Sequence, residues 1–153
     1  MNIEEMSIII HIVFSFLAAT GFAVFLNAPK ETLFYSGFIG MISWVVYILF
    51  RQLNFDIMIS NFIGASVASI ISEIFAIKFK KPTIIFIIPG IITLIPGLGL
   101  YNTMFYMIEG SFDLSIQTGA SVMFASGAIS LGVVVASSLF RTYYHRILKR
   151  IKK

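Results

Sequence analysis

One apolar stretch of the chain combines helix-breaking residues with polar side chains. Residues 84–104 read IIFIIPGIITLIPGLGLYNTM, in which Pro89-Gly90 is followed seven residues later by Pro96-Gly97. Proline in a helix interior costs about 3 kcal/mol and glycine about 1 kcal/mol, so two such pairs in one segment indicate that a break is functional. The small and polar residues that come next are Gly99, Tyr101, Asn102 and Thr103.

A helix that restarts after such a break presents free backbone amides, which bind anions. We expect short helices over 83–88 and 100–108 around a broken or re-entrant middle, with the amides of Gly97, Leu98 and Gly99 opening the second helix. Nearby hydroxyl and amide side chains would orient a carboxylate. The alternative is a kinked helix that only packs. The predicted substrate-binding residues are Pro89, Gly90, Pro96, Gly97, Gly99, Tyr101, Asn102 and Thr103.

Glu73 is the one acid inside a long apolar run. Acids at membrane depth act as proton relays or cation partners, so Glu73 is a candidate for such a relay. The alternative is an interfacial position in which it pairs with the nearby basic residues Lys78, Lys80 and Lys81.

The histidine and cysteine content argues against metal and thiol chemistry. His11 and His145 are the two histidines and there is no cysteine, so we expect no metal site. His11 is expected to be buried against a neighbouring helix. Because no Lys or Arg lies at membrane depth to activate a serine, we expect neither an enzyme nor a cofactor.

The composition places these residues in a membrane. Of 153 residues, 12% are charged and 58% hydrophobic, with a mean hydropathy of +0.95, whereas soluble domains are about 25% charged. Since a span needs about 20 apolar residues, we predict one all-α domain, residues 1–153, a bundle of five transmembrane helices whose fourth is broken at the Pro-Gly motifs. The predicted spans are 6–27, 32–50, 57–77, 83–108 and 114–140, followed by a basic cytoplasmic tail, 141–153.

The first run is expected to be a retained span, because Glu4 and Glu5 precede it where a signal peptide would carry Lys or Arg. With the N-terminus outside, ten of the eleven Lys and Arg residues lie in inner segments and only Arg51 lies outside. The positive-inside rule then predicts an N-out, C-in orientation. The basic tail would lie against anionic lipids, so the net charge of +4 does not require a nucleic-acid partner.

Small residues recur at helical spacing in two of the predicted spans. Gly64, Ala68 and Ser72 follow one another every four residues, and Ala128 and Gly132 form a second pair. Such residues let membrane helices approach closely. They predict either close packing within this bundle or docking of another membrane subunit.

Two segments, GFAVFLNAPKETLFYSGFIG and IIPGIITLIPGLGLYNTM, resemble the threonine/serine exporter (ThrE) family, in particular its small YjjB-like subunits, which are similar to the C-terminal membrane half of the single-chain exporter. The resemblance covers residues 14–138. It implies a subunit of a two-component exporter in the bacterial plasma (inner) membrane, with threonine and serine or dicarboxylates such as succinate as substrates. The implied partner is a larger YjjP-like membrane subunit with a cytosolic domain.

The sequence thus predicts a subunit of a secondary exporter whose residues 89–103 line the substrate site and whose two halves rock against each other. Since no nucleotide-binding motif occurs in the sequence, the proton gradient is the expected driving force. One alternative is an assembly or gating scaffold that binds no substrate, and another is a homo-oligomeric channel. The lack of intramembrane Lys or Arg favours an amino acid slightly over a dicarboxylate.

Overall fold

A computed structural model describes the backbone of residues 8–151 and the side chains of residues 8–144. Glu4, Glu5, the side chain of His145 and most basic side chains of the tail lie outside the described part of the chain.

All regular secondary structure of the described residues is helical. A 3₁₀ turn, Ile92–Leu94, directly follows the fourth α-helix. The α-helices are α1 (Ile8–Phe25), α2 (Lys30–Gln52), α3 (Ile57–Phe79), α4 (Ile84–Ile91), α5 (Gly97–Ile108) and α6 (Phe112–Ile151).

Four of these helices, namely α1, α2, α3 and α6, are long and apolar enough to cross a membrane. The segment 84–94 and α5 meet at a bend of 56° and become a fifth candidate if they form one span. The predicted all-helical membrane fold is therefore confirmed, whereas five spans and the N-out orientation stay predictions.

Helix α2 lies at the centre of the bundle, in contact with α1, α3 and α4, while α6 packs along α3 and α5 packs mainly on α6. Small residues make these contacts close. A Cβ built on Gly40 would lie 2.3 Å from the Cβ of Ala19, and one built on Gly132 would lie 2.5 Å from the carbonyl oxygen of Phe62. Gly64 faces the backbone of Ser43 at 3.0 Å in the same way. Two of the predicted small residues, Gly64 and Gly132, therefore pack within the bundle.

Four helices end in the same type of cap. Asn27, Asn54, Lys80 and Gly110 each adopt a positive φ, between 52° and 79°. After α1, for example, the amide of Asn27 bonds to Val24 and that of Ala28 to Ala23, which is the Schellman pattern that satisfies the last carbonyls of a helix. The connections between the first helices are consequently short and well defined.

Helix α6 is much longer than a membrane is thick. Its 40 residues span about 60 Å at 1.5 Å per residue, against about 30 Å for the hydrocarbon core. The first part of the basic tail, up to Ile151, continues this helix. The described part of the tail, residues 141–151, is therefore helical.

Candidate functional site at the helix break

The break in the fourth stretch is shorter than the sequence suggests. Helix α4 continues through Pro89 and Gly90, and only Ile95 and Pro96 are non-helical between the 3₁₀ turn and α5. The predicted break is present as a bend of 56°, but its predicted extent, a broken or re-entrant middle over residues 89–99, is wrong. Ile95 has an extended backbone, with ψ of 125°, as expected for a residue that precedes proline.

Hydroxyl groups of α2 explain why Pro89 is tolerated inside a helix. Proline has no amide hydrogen, so the carbonyl four residues earlier loses its helical partner. That carbonyl belongs to Ile85, and the Oγ of Ser36 donates to it at 3.4 Å. A buried polar backbone group in a membrane protein requires such a substitute.

The same face of α2 holds the turn that follows. Ser43 Oγ lies 2.8 Å from the carbonyl oxygen of Gly90 and 3.0 Å from that of Gly40 in its own helix. Thr93 Oγ1 donates in turn to the Gly40 carbonyl at 3.2 Å. We call residues 89–94 the elbow. Two kinds of hydrogen bond thus join the elbow to α2: a hydroxyl of α2 bonds to a carbonyl of the elbow, and a hydroxyl of the elbow donates to a carbonyl of α2.

The residues of α2 that hold the elbow were not predicted from the sequence. Gly40 and Ser43 are buried and lie three residues apart on one face of α2. Ser36, which bonds to Ile85 just before the elbow, lies four residues before Gly40 on the same face. Small and hydroxyl side chains at these spacings form a pattern that is visible in the sequence.

Helix α5, which we call the arm, has very different surroundings. None of its side chains is fully buried. A Cβ built on Gly99 would lie 2.6 Å from Val122 Cγ2 of α6. Thr103 Oγ1 donates to the Gly99 carbonyl at 2.8 Å, and Ser115 Oγ donates to the Thr103 carbonyl at 2.8 Å. Gly99 and Thr103 thus contribute to the packing of the arm on α6.

The first turn of the arm retains part of the predicted anion site. The Gly97 amide donates to the Ile95 carbonyl at 2.8 Å, so the expectation that it is free is wrong. The amides of Leu98 and Gly99 have no acceptor among the residues that the structure describes. Tyr101 is 63% exposed and its ring stacks on Phe105.

The predicted site residues therefore fall into two groups. Pro89 and Gly90 are buried in the elbow against α2. The others lie beyond the bend of 56°, at Pro96 or on the arm, where Gly97 is exposed and Asn102 is half-buried. The bend therefore separates the two groups in the described part of the chain.

A groove of about 260 Å³ lies between α1, α2 and the elbow. His11, on α1, is only 5% exposed, which confirms its predicted burial. The Nε1 of Trp44 donates to His11 Nδ1 at 3.1 Å, and Ser15 Oγ donates to the His11 carbonyl at 2.6 Å. The groove is lined by Ile10, His11, Phe14, Ser15, Ala18, Trp44 and Thr93.

Glu73 is 4% exposed and forms an ion pair. Arg141 Nη2 lies 2.8 Å from Glu73 Oε1, and Thr83 Oγ1 donates to Oε2 at 3.2 Å. The interfacial alternative placed its partner among three nearby lysines, whereas the basic group comes from the start of the tail. No group of three or more His, Asp or Glu side chains suited to a metal ion occurs within the described residues.

The apolar helices and the bent fourth stretch define a multi-pass membrane protein. A family model described as "Threonine/Serine exporter, ThrE" matches residues 11–139, and the chain belongs to this family of transporters.

The chain is 23% identical over 148 residues to a protein of Haemophilus influenzae that is described as uncharacterized. The match covers 92% of this chain and 50% of the relative. The chain thus spans about half the length of the curated relative that it matches. No solved structure matches the chain significantly.

Proposed function

We propose that the chain is the membrane subunit of a two-component secondary exporter of small polar metabolites in a bacterial inner membrane. Its partner would be a larger YjjP-like membrane subunit with a cytosolic domain. The observation that carries this proposal is family membership over residues 11–139. The partner is the one that the resemblance to small YjjB-like subunits implies.

The bend between elbow and arm supplies the moving part of the proposed mechanism. Helices of transporters are commonly interrupted near the substrate, and alternating access follows from the movement of one half against the other. The elbow is fixed to α2 through Ser43, whereas the arm packs mainly on α6. Rocking would change the angle at Ile95 and Pro96 and move the arm relative to the elbow.

The proposed substrates are threonine and serine, or dicarboxylates such as succinate. The unbonded amides of Leu98 and Gly99 fit one carboxylate, since a helix N-terminus carries about half a positive charge. Tyr101 and Asn102 on the next turn add a hydroxyl and an amide group. This set suits an amino acid better than a dianion.

Glu73 enters the proposal as a possible relay for protons that drive export. A relay would require the carboxylate to release Arg141, which contacts it at 2.8 Å. We expect a Glu73→Gln variant, whose side chain does not titrate, to lose proton-driven export while keeping its level in the membrane. Proton-driven export at the normal rate would leave the acid with a structural role only.

The test of the main proposal is export from preloaded cells. Labelled threonine, serine and succinate would be followed in cells that express this chain, its partner or both. We expect export only with both subunits. Export by this chain alone would contradict the two-component proposal and favour a homo-oligomeric channel.

A second candidate function is an assembly or gating scaffold that binds no substrate. It is favoured by the contacts of Gly99 with Val122 and of Thr103 with Ser115 of α6, because these contacts give two predicted site residues a packing role. Under this hypothesis Asn102→Ala exports at the normal rate. Under the exporter-subunit hypothesis the same variant raises the KM for export while the complex stays assembled.

A further inference from the structure

A groove of about 520 Å³, which we call the α3–α6 groove, lies between these two helices on the outer surface of the bundle. Ile70 of α3 and Val135 and Leu139 of α6 form apolar walls and are 39%, 41% and 67% exposed. Ser66 is the polar lining residue from α3, and its hydroxyl already donates to the Phe62 carbonyl at 2.7 Å. This lining suits an apolar chain, which needs no hydrogen-bond partner.

The length of the α3–α6 groove matches one leaflet of a bilayer. From Val135 to Tyr143 its α6 wall rises about 12 Å at 1.5 Å per residue, close to half of a hydrocarbon core of about 30 Å. Phe62 lies at its other end, since it also lines a second groove of about 400 Å³ between the same helices. A membrane helix would have to lie along both grooves and over Phe62, whereas one acyl chain fits within the first.

The α3–α6 groove ends at the basic tail. Tyr143, its last lining residue, is 69% exposed, and tyrosine is typical of the level of the lipid headgroups. Residues 141–153 contain six Lys and Arg residues and no Asp or Glu. Clusters of four to eight basic residues next to a membrane helix attract anionic lipids. The charge at this end of the groove therefore complements an anionic headgroup.

The helical register identifies the basic positions that belong to the groove. Helix α6 continues to Ile151, and residues three, four or seven positions apart share a helix face. Arg146 and Arg150 follow Tyr143 by three and seven residues, so these positions lie on the face of the groove. Lys149 and Lys152 fall on other faces at 3.6 residues per turn.

We propose that the α3–α6 groove binds one anionic phospholipid. An acyl chain would lie along Val135 and Leu139, and the phosphate of the headgroup would lie beside positions 146 and 150. The sequence predicts only that the tail lies against anionic lipids. The groove adds a defined site, which does not depend on the substrate that the protein exports.

The headgroup is tested by native mass spectrometry of the full-length protein, purified in a mild detergent and titrated with phosphatidylglycerol. The Arg146→Gln/Arg150→Gln variant is compared with Lys149→Gln/Lys152→Gln, which has the same net charge. At about 1 kcal/mol per basic residue, the arginine variant should bind the first lipid about thirtyfold more weakly, and the lysine control should stay within about threefold of the unmodified protein. Equal weakening by both variants would mean general attraction to the tail and would overturn the site.

The acyl chain is tested in the same titration by Val135→Trp, which places an indole in the groove. Val134→Trp is the matched control, because Val134 is 64% exposed and does not line the groove. We expect Val135→Trp to bind phosphatidylglycerol about tenfold more weakly, as for the loss of two buried methylene groups, and the control to bind it normally. Inorganic phosphate should not compete. Normal binding by Val135→Trp, or competition by phosphate, would overturn the seat for the acyl chain.

A membrane helix of another subunit is the competing occupant. If Val135→Trp released a co-purifying membrane subunit and left phosphatidylglycerol binding unchanged, the groove would be a protein interface and the lipid proposal would be wrong. The two arginine positions lie beyond the lining of the groove, in the basic tail. The arginine variant therefore tests the proposal even if Val135→Trp does not fold.

Discussion

One Pro-Gly pair lies in the elbow and the other stands where the arm begins, yet the two pairs have opposite surroundings. The carbonyl of Gly90 in the elbow, and that of Ile85 just before it, lie within hydrogen-bond distance of hydroxyls from α2. In the arm, the amides of Leu98 and Gly99 lack acceptors within the described part of the chain. The neighbours of a helix break, more than the break itself, therefore decide whether it is structural or available to a ligand.

The two regions should also differ in mobility. The elbow contacts α1, α2 and α3, whereas the arm packs mainly on α6 and contains no fully buried side chain. Regions with few buried contacts open locally at low free energy. The arm is therefore the part of the molecule in which a functional movement costs least.

The largest loss in the free energy of unfolding is expected from Gly90→Ala in the elbow. The new Cβ would lie 2.5 Å from Ile39 Cγ2 and 3.3 Å from Ile39 Cβ, and this fully buried β-branched side chain has little freedom to move. Overpacking of this kind lowers the free energy of unfolding by about 1–3 kcal/mol. Thermal unfolding in detergent would measure it, with Gly127→Ala as control because that position has nothing within 4 Å. Equal stability of the two variants would contradict a rigid elbow.

The second largest loss in the free energy of unfolding is expected from Ser43→Ala. Its Oγ lies 2.8 Å from the Gly90 carbonyl, and loss of an interhelical hydrogen bond in a membrane protein costs about 0.6–1.7 kcal/mol. Ser36→Ala should cost less, since its bond to Ile85 is 3.4 Å long. The same unfolding measurement compares them, with Ser130→Ala on exposed α6 as control. A larger loss of stability for Ser36→Ala than for Ser43→Ala would contradict the expectation that the shorter hydrogen bond contributes more.

Gly99→Ala tests the arm with a similar steric change. The built Cβ lies 2.6 Å from Val122 Cγ2, but the arm can shift because it packs mainly on one helix. We expect a loss of less than about 1 kcal/mol in the free energy of global unfolding. Hydrogen exchange should become faster in α5 and stay unchanged in α2. Faster exchange in α2 would mean that elbow and arm form one rigid unit.

The sequence predicts the helices well because apolar composition marks a membrane helix directly. Apolar runs and helix-ending residues such as Asn27 and Pro29 mark the segments, and the structure has helices at all of them. The length of the break is predicted poorly. Intrinsic propensity places Pro89 and Gly90 outside a helix, whereas a tertiary contact from Ser36, about 50 residues away, keeps them inside it.

The candidate site was also predicted only in part, because its contacts join residues that are distant in the sequence. Glu73 was identifiable as an unusual acid, but its partner Arg141 comes from a helix 68 residues further on. His11, Trp44 and Thr93 meet in one groove although nothing in their spacing along the chain connects them. Only the packing of α1 and the elbow around α2 brings such residues together.

The smallest effect on stability, and the sharpest test of the arm, is expected from Gly97→Ala. A Cβ at this position has nothing within 4 Å, so the free energy of unfolding should change by less than about 0.5 kcal/mol. The methyl group would nevertheless stand beside the amides of Leu98 and Gly99. If these amides bind the substrate carboxylate, the KM for export should rise while the membrane level of the protein stays constant. Because Gly127→Ala adds the same methyl group to another open position, it shows what an added methyl does by itself. Export by the Gly97 variant at the rate of that control would remove the arm from the site and favour the scaffold hypothesis.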